Sequence, residues 1–429
     1  MLEQLFKLSE NKTTVGTEIV AGITTFLTMA YIIFVNPQIL SAAKMPIDAV
    51  FVATCVAAAI GCLLMAFVAN YPIALAPGMG LNAYFAFTVV GGMGYSWQVA
   101  LGCVFFSGVL FFIISVLPIR EWIVNAIPKS LKMAIAAGIG LFLALIALKN
   151  AGIVVGNQAT LVAHGDLTSW PVVMATLGFA LIVALEYRKV LGGVIIGILV
   201  VTIVSIIFGH QKFGGIFAPP PSIAPVFLQM DLGGAVAVGL VHVVFAFLFV
   251  DLFDNTGTLI ALAHRGGFMR PDGTVPRLNR ALISDSAAAM IGAAVGTSTT
   301  TSYIESASGI ASGGRTGLTA ATVAVLFLLA LFISPLAGSI PAYATAPALL
   351  YVACLMMRGL VEIEWDDITE AAPAVITAIA MPFTFSIAEG IAFGFISYAL
   401  IKLVAGRWSD IHPAVGVLAV LFVIKYLVI

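Results

Sequence analysis

Charged residues are scarce in this chain. They fill 9% of its 429 positions, where a soluble domain carries about a quarter. So little charge cannot solvate a whole surface, which excludes an ordinary soluble globule. The net charge is −1, with 19 Lys and Arg against 20 Asp and Glu, so there is no basic surplus for a nucleic-acid partner. Cysteine is rare as well. Cys55, Cys62, Cys103 and Cys354 all lie inside apolar runs without metal-ligand spacing, and they are expected to be packing residues. The polar opening MLEQLFKLSENKTTVG has no secretory apolar core, so no cleaved signal is expected.

Apolar side chains are abundant instead, at 61%. Runs of roughly 20 apolar residues, enough to cross the hydrocarbon core as helix, recur from end to end. The fold class is therefore an all-α polytopic membrane protein in a lipid bilayer. Spans are predicted near 17–37, 49–69, 72–91, 98–117, 128–148, 169–187 and 191–209. A second set follows near 235–262, 278–294, 297–313, 317–335, 340–358, 368–386 and 388–405. That makes 14 transmembrane spans, with residues 412–429 either a further span or a helix lying in the interface.

Basic residues set the orientation. With the N-terminus cytoplasmic, inside segments hold Lys7, Lys12, Arg120, Lys129, Lys132, Arg188, Lys189, Arg265, Arg270, Arg277, Arg280, Arg315, Arg358, Lys402 and Arg407. Outside loops hold Lys44, Lys149 and Lys212, and Lys425 belongs to the ambiguous tail. The bias predicts a multi-pass cell-membrane protein with a cytoplasmic N-terminus. The Pro-rich loop APPPSIAP (218–225) separates seven spans from seven. An odd number per half inverts the second copy, as in many secondary transporters. Ile-Pro opens the fifth span of each half, and Gly-Gly closes the third and the tenth spans.

Those third and tenth spans are poor helices. YPIALAPGMGLNAYFAFTVVGG (71–92) places Pro72, Pro77, Gly78 and Gly80 where a helix interior should be, and VGTSTTTSYIESASGIASGGRTG (295–317) is rich in Ser, Thr and Gly. Both read as extended first and helical afterwards. Non-helical backbone at mid-membrane is tolerated only when buried in protein or lining a cavity, and paired interruptions in two halves point to a transporter's binding site.

Five acids fall well inside predicted spans: Asp251, Asp254, Asp285, Glu305 and Glu389, without a Lys or Arg beside them. An ionised carboxylate at mid-bilayer costs about 2.5–3.5 kcal/mol on insertion scales, so such groups are candidates for proton relay or for binding a polar solute. Asp251 and Asp254 share a helix face, with Thr258 one turn on. Asp285 reads as a bond to a neighbouring broken helix, Glu389 as a helix-end residue and His242 as a packing residue. Asp254 and Glu305 stand out as the functional pair. An intramembrane protease dyad needs its two aspartates on facing helices, which Asp251 and Asp254 are not.

At these residues the chain resembles a known family. APGMGLNAYF, FVDLFDNTGT and GTSTTTSYIESASGIASGGRTGLTA are similar to the signature segments of AzgA-like purine permeases, a branch of the nucleobase–ascorbate (nucleobase:cation symporter) transporters. TTVGTEIVAGITTFLTMAYIIFVNP extends the likeness to the N-terminus, so it covers essentially the whole chain. The resemblance implies two inverted seven-span repeats with spans 3 and 10 broken. A core domain (1–117 and 226–337) would move against a gate domain (118–215 and 338–429), whose apolar surface suits a homodimer.

The resemblance also implies a substrate site built from Gly80, Asn82, Asp254, Tyr303 and Glu305. Asp254, Asp251 and Glu305 are the proton-coupling candidates. Xanthine, urate and uracil members differ by an Asp where this chain has Thr258, and by a shorter tenth-span motif than Glu305-Ser306-Ala307-Ser308-Gly309. Adenine, guanine or hypoxanthine is the expected cargo. No metal, enzyme activity or cofactor is expected beyond a coupling proton, with sodium left open. The rival reading is an anion exchanger or channel of the same fold. Such a protein should show intramembrane basic residues or a site free of carboxylates.

Overall fold

The structure is a computed structural model that describes residues 2–117, 127–237, 240–270 and 274–428. Arg120 and the side chains of His242 and Lys425 lie outside the described parts, and so do the readings that used them. Where described, the chain is mostly helical.

Helix α1 (Val15–Met29) starts where the Thr14 side chain accepts from the Thr17 amide, an ordinary N-cap. After a break at Ala30–Tyr31, α2 (Ile32–Ser41) completes a 27-residue apolar stretch. Helix α3 (Ile47–Leu64) loosens into a wider turn over Met65–Ala69 and ends at Asn70 in left-handed conformation. Strand β1 (Leu75–Pro77) follows, then α4 (Met79–Ala83), which runs on in wide turns to Gly92. Next come α5 (Trp97–Val116), α6 (Lys129–Asn150), a hairpin of β2 (Val154–Asn157) and β3 (Leu161–His164), α7 (Trp170–Tyr187) and α8 (Gly193–Ile207).

The rest of the chain holds α9 (Leu240–Gly266), α10 (Leu278–Val295), β4 (Thr300–Ser302), α11 (Ser306–Ala311) and α12 (Gly317–Ala330). Last come α13 (Ala342–Met356), α14 (Ile368–Thr384), α15 (Ile387–Val404) and α16 (Pro413–Val428). Among the described residues nine helical stretches are long and apolar enough to cross a membrane, and Gly193–Ile207, Ile368–Thr384 and Pro413–Ile424 are shorter apolar helices.

The chain divides into two compact units. Met1–Val116 with Asn150–Ala348 form the first, and Leu117–Lys149 with Leu349–Ile429 the second. These follow spatial compactness, so residues 150–215 fall with the first unit.

In the first unit, β1 and β4 pair antiparallel, with Leu75 opposite Ser302, Ala76 opposite Thr301 and Pro77 opposite Thr300. Two further bonds bracket the ladder, Gly78 N–H to Thr299 at 2.9 Å and Tyr303 N–H to Ala74 at 2.9 Å. Such short strands satisfy their backbone by pairing with each other, the remedy available to non-helical chain in a buried setting. Gly78 permits the approach, since a Cβ there would meet Thr301 Cγ2 at 2.7 Å.

In the second unit α14 and α15 pack side by side, and Ala134, Ile363 and Ala374 form a small apolar core. Lys402, counted with the cytoplasmic basic residues and inside the predicted span 388–405, sits in the last turn of α15. It is fully buried, paired to Glu370 at 2.8 Å and to Asp367 and Asp410 at 3.8 Å. Its long apolar stem lets the charge be carried inside a helix pair, where three carboxylates meet it. Cys55, Cys62 and Cys103 are buried as expected, whereas Cys354 is exposed on the chain's own surface. Its apolar neighbourhood in sequence says nothing of which helix face it occupies.

Candidate functional site

The β1–β4 pair brings the two interrupted segments into register, and each then turns into a helix. Asn82 lies in α4, one turn beyond Gly78, and is fully buried. Its side-chain oxygen accepts from the Ser298 hydroxyl, while its amide nitrogen has no partner among the described residues. Gly80 is half-buried in the same helix. On the other segment Tyr303 is buried and donates its hydroxyl to the Pro77 carbonyl at 2.5 Å. That bond ties the tenth-span aromatic directly to β1. Two residues on, Glu305 is half-buried at the start of α11 and accepts from Tyr31 at 2.5 Å.

Helix α9 supplies the third wall. Asp254 is half-buried there and close enough for its charge to act on both Tyr303 and Glu305. The structure thus gathers Asn82, Asp254, Tyr303 and Glu305 into one region of the first unit. The ion pairs among the described residues involve neither Asp254 nor Glu305. Asp251, one turn back along α9, is fully buried, and neither of its oxygens has a hydrogen-bond partner among the described residues. Asp285 on α10 accepts from Ser302 of β4 at 3.0 Å, the bond to a neighbouring broken segment expected of it. Glu389 stands apart, in the first turn of α15 and in the second unit, where it accepts from Tyr426.

Three features were not read from the sequence. Tyr31 holds Glu305 from the break between α1 and α2. Asn36 donates to Thr54 at 2.7 Å and to Thr297 at 2.9 Å, stitching α2 and α3 to the loop before β4. Glu18, fully buried in α1, accepts from the amides of Arg315, Thr316 and Thr319 and from the Thr319 hydroxyl at 2.6 Å. A carboxylate on these free amides neutralises the N-terminus of α12. An acid in the first turn of an apolar span was the available signal for Glu18. Nothing local marks Tyr31 or Asn36.

What the arrangement offers chemically is a set of polar side chains on neighbouring segments. Carboxylates and an amide present acceptors and donors, and an aromatic face lies close by. A flat solute with N–H groups on its edge would complement them.

The chain has known relatives along its whole length. The chain is 49% identical over 428 residues to the adenine permease AdeQ of Escherichia coli strain K12, covering 100% of this chain and 96% of that one. It is 44% identical over 433 residues to the guanine/hypoxanthine permease PbuO of Bacillus subtilis strain 168, covering 99% and 100%. In fold it is similar to the transmembrane domain of the cyanobacterium bicarbonate transporter BicA, with TM-score 0.69 at 17% identity over 87% of this chain and 96% of that one. Residues 16–393 match the Permease family model Xan_ur_permease, and the chain belongs to that family as a multi-pass membrane transport protein, not an enzyme.

Proposed function

We propose that the protein is a secondary active transporter that imports purine nucleobases (adenine, guanine or hypoxanthine) by proton symport. The observation that carries this reading is the β1–β4 pair, which sets Asn82, Tyr303 and Glu305 in one region with Asp254, and among the described residues no ion pair involves Asp254 or Glu305. A purine is neutral, flat and edged with donors and acceptors, so acceptor-rich side chains suit it and a basic anion site would not. The printed names of AdeQ and PbuO support the same substrate class.

In this reading Gly80, Asn82, Asp254, Tyr303 and Glu305 bind the base, and the coupling proton is carried among Asp254, Asp251 and Glu305. The chain crosses the membrane fourteen times with its N-terminus in the cytoplasm, as two inverted repeats broken at spans 3 and 10. The core segments (1–117, 226–337) move relative to the gate segments (118–215, 338–429), and the protein works as a homodimer. Tyr303 serves as a stacking face only after its hydroxyl is fixed on Pro77, which orients the ring without using its plane.

The test is radiolabelled uptake into proteoliposomes, with adenine, guanine, hypoxanthine, xanthine, uracil and a nonmetabolisable anion offered separately. Uptake of one of the first three, competed by the others, supports the proposal. Transport of the anion with no purine uptake would replace it with the exchanger reading that BicA's fold alone leaves open.

A further inference from the structure

The α14–α15 pair has one end built of charged side chains. There the last turn of α15 carries Lys402, and Asp367, Arg407 and Asp410 gather around it with part of their surface exposed. At the other end α14 turns into α15 through Phe385 and Ser386. Helix α15 then runs for 18 residues, Ile387–Val404, and is long and apolar enough to cross a bilayer. Residues 412–429 are, from sequence alone, either a further span or a helix in the interface. Their packing decides between the two.

Helix α16 (Pro413–Val428) starts just past Asp410, at the charged end, and packs on α15. The residues that meet fix its direction. Phe422 lies on Phe395 with ring centroids 6.1 Å apart, and Tyr426 on Phe393 at 5.9 Å. The Tyr426 hydroxyl donates to Glu389. Going forward along α16 is therefore going backward along α15. The two helices are antiparallel, and Tyr426 reaches the first turn of α15, where Glu389 stands. About 20 Å of helix rise separates Glu389 from Lys402. A helix lying in the interface beside the charged end could touch only the last turns of α15.

Composition leads to the same place. An interfacial helix keeps a polar face for water. The sequence PAVGVLAVLFVIKYLV has one charged residue, Lys425. Val415 and Ala419 are buried, and with Phe422 and Tyr426 they share one helix face (i, i+4, i+7, i+11). The exposed remainder includes Val417, Val420, Leu421, Ile424 and Leu427, a surface that belongs in hydrocarbon. With 16 residues α16 is about 24 Å long. A shortfall of that size against a core of about 30 Å is absorbed by thinning of the bilayer. Tyr426, near the far end, is of the residue type that anchors a span at the interface.

We propose that α16 is a fifteenth crossing, clamped along α15 by Tyr426 on Glu389, so that its far end emerges on the face opposite Lys402 and Asp410. With the N-terminus cytoplasmic and fourteen crossings before residue 405, that face is the outer one. The proposal rests on α15 being a span and on nothing about the cargo. It also gives Glu389 a task outside transport. An acid in the first turn of a span is costly in lipid, and the Tyr426 hydroxyl brings it a donor from the next helix.

The experiment uses the full chain with Cys354 replaced by Ala, the other three cysteines being buried. One variant carries Ser409→Cys, in the exposed connection between α15 and α16, and another a cysteine appended after Ile429. Each is treated with a membrane-impermeant maleimide, in intact cells and in inverted vesicles. The two cysteines should react from opposite faces, each losing its labelling when the reagent is on the other side. Reaction of both from one face, or of the appended cysteine only after detergent is added, would overturn the crossing. The clamp is read separately, by thermal unfolding in detergent. Tyr426→Phe and Glu389→Ala should each lower the midpoint, and the double variant should fall no further than the lower of the two. Additive losses, or no loss from either, would overturn the clamp. Purine uptake enters neither readout, so a failure of the purine reading leaves both results standing.

Discussion

Tyr31 donates its hydroxyl to Glu305 at 2.5 Å, joining two residues 274 positions apart in the chain. The donor stands at the break between α1 and α2, and the acceptor at the start of α11. The bond fixes one oxygen of the carboxylate and leaves the group's remaining acceptor capacity for a ligand. Tyr31→Phe should therefore weaken purine binding by about 1 kcal/mol, roughly fivefold, without abolishing it. Glu305→Gln should cost about 1.5–3 kcal/mol, or tenfold and more, because a charged acceptor is lost. Glu389→Gln, in the other unit, should change binding little. Equal effects at 305 and 389 in a binding titration would place the site elsewhere.

Glu18 has a different task. It accepts from the amides of Arg315, Thr316 and Thr319 and from the Thr319 hydroxyl, and so ties α1 to the start of α12. Glu18→Ala removes every one of those acceptors at a fully buried position. The expected cost is about 3 kcal/mol or more, since several buried donors lose their partner at once. Glu18→Gln keeps one acceptor oxygen and should fall between that variant and the wild type. A thermal-unfolding series in detergent checks the order, and an unchanged midpoint for Glu18→Ala would refute it.

Lys402 anchors the α14–α15 pair through Glu370, Asp367 and Asp410. Lys402→Met leaves the buried end of that network uncompensated. The loss should lie at the low end of the about 3–5 kcal/mol typical of a broken buried pair, because Asp367 and Asp410 keep some solvent. The Thr369 hydroxyl, then Arg407, hold the Asp367 carboxyl below its ordinary 3.8. A depressed folded-state value means that the contribution is fully present above pH 3.8 and is lost as pH falls through the lower folded value. Stability measured from pH 7 to pH 3 should therefore drop at the acid end, and less steeply in Asp367→Asn.

Topology gives a further check. With the N-terminus cytoplasmic, a cysteine at Thr274, between Arg270 and Arg277, should react only from the cytoplasmic side, and one at Gln211, beside Lys212, only from outside. Cys354 is exposed and must first be replaced by Ala. Reversed labelling would overturn both the orientation and the even number of crossings before residue 405.

Much of this was legible before any coordinates. Pro77-Gly78 announces β1, because Pro cannot donate to a helix and Gly alone tolerates Thr301 at that distance. The Thr-rich run 297–301 announces β4 by its β-branched side chains. Asp251 and Asp254 announce themselves by being acids in an apolar run. What stayed hidden is what depends on contacts far apart in sequence. Tyr31 and Asn36 look like any polar-tipped residue in a first span, and Glu305 and Thr297, which they bond, lie more than 260 positions away. Lys402 was legible as a basic residue at the cytoplasmic end of a span, but charge counting does not see that it is fully buried against three carboxylates. Asp285 was visible as an acid bonded to a broken segment, but that its partner is the Ser302 hydroxyl of β4 is a fact of packing alone.

The last prediction concerns the energy source. A neutral purine cannot be concentrated by membrane potential alone, so uphill import needs a co-transported cation. Buried acids without basic partners suit a proton, and among the described residues no ion pair involves the buried Asp251 and Asp285. Uptake into proteoliposomes should therefore rise with an imposed inward proton gradient, collapse with an uncoupler and ignore a sodium gradient. Asp254 lies on α9 within electrostatic reach of Tyr303 and Glu305. Asp254→Asn removes a carboxylate proposed to carry the coupling proton, so accumulation above equilibrium should be lost. Exchange of purine across the membrane should be lost as well if Asp254 is an obligatory acceptor for the ring edge, and should survive in part if it chiefly relays charge. The measurement is concentrative uptake set beside purine-for-purine exchange, with pH and sodium gradients imposed one at a time. Full concentrative uptake by Asp254→Asn would remove this residue from the coupling path, and sodium-driven uptake at equal pH would remove the proton.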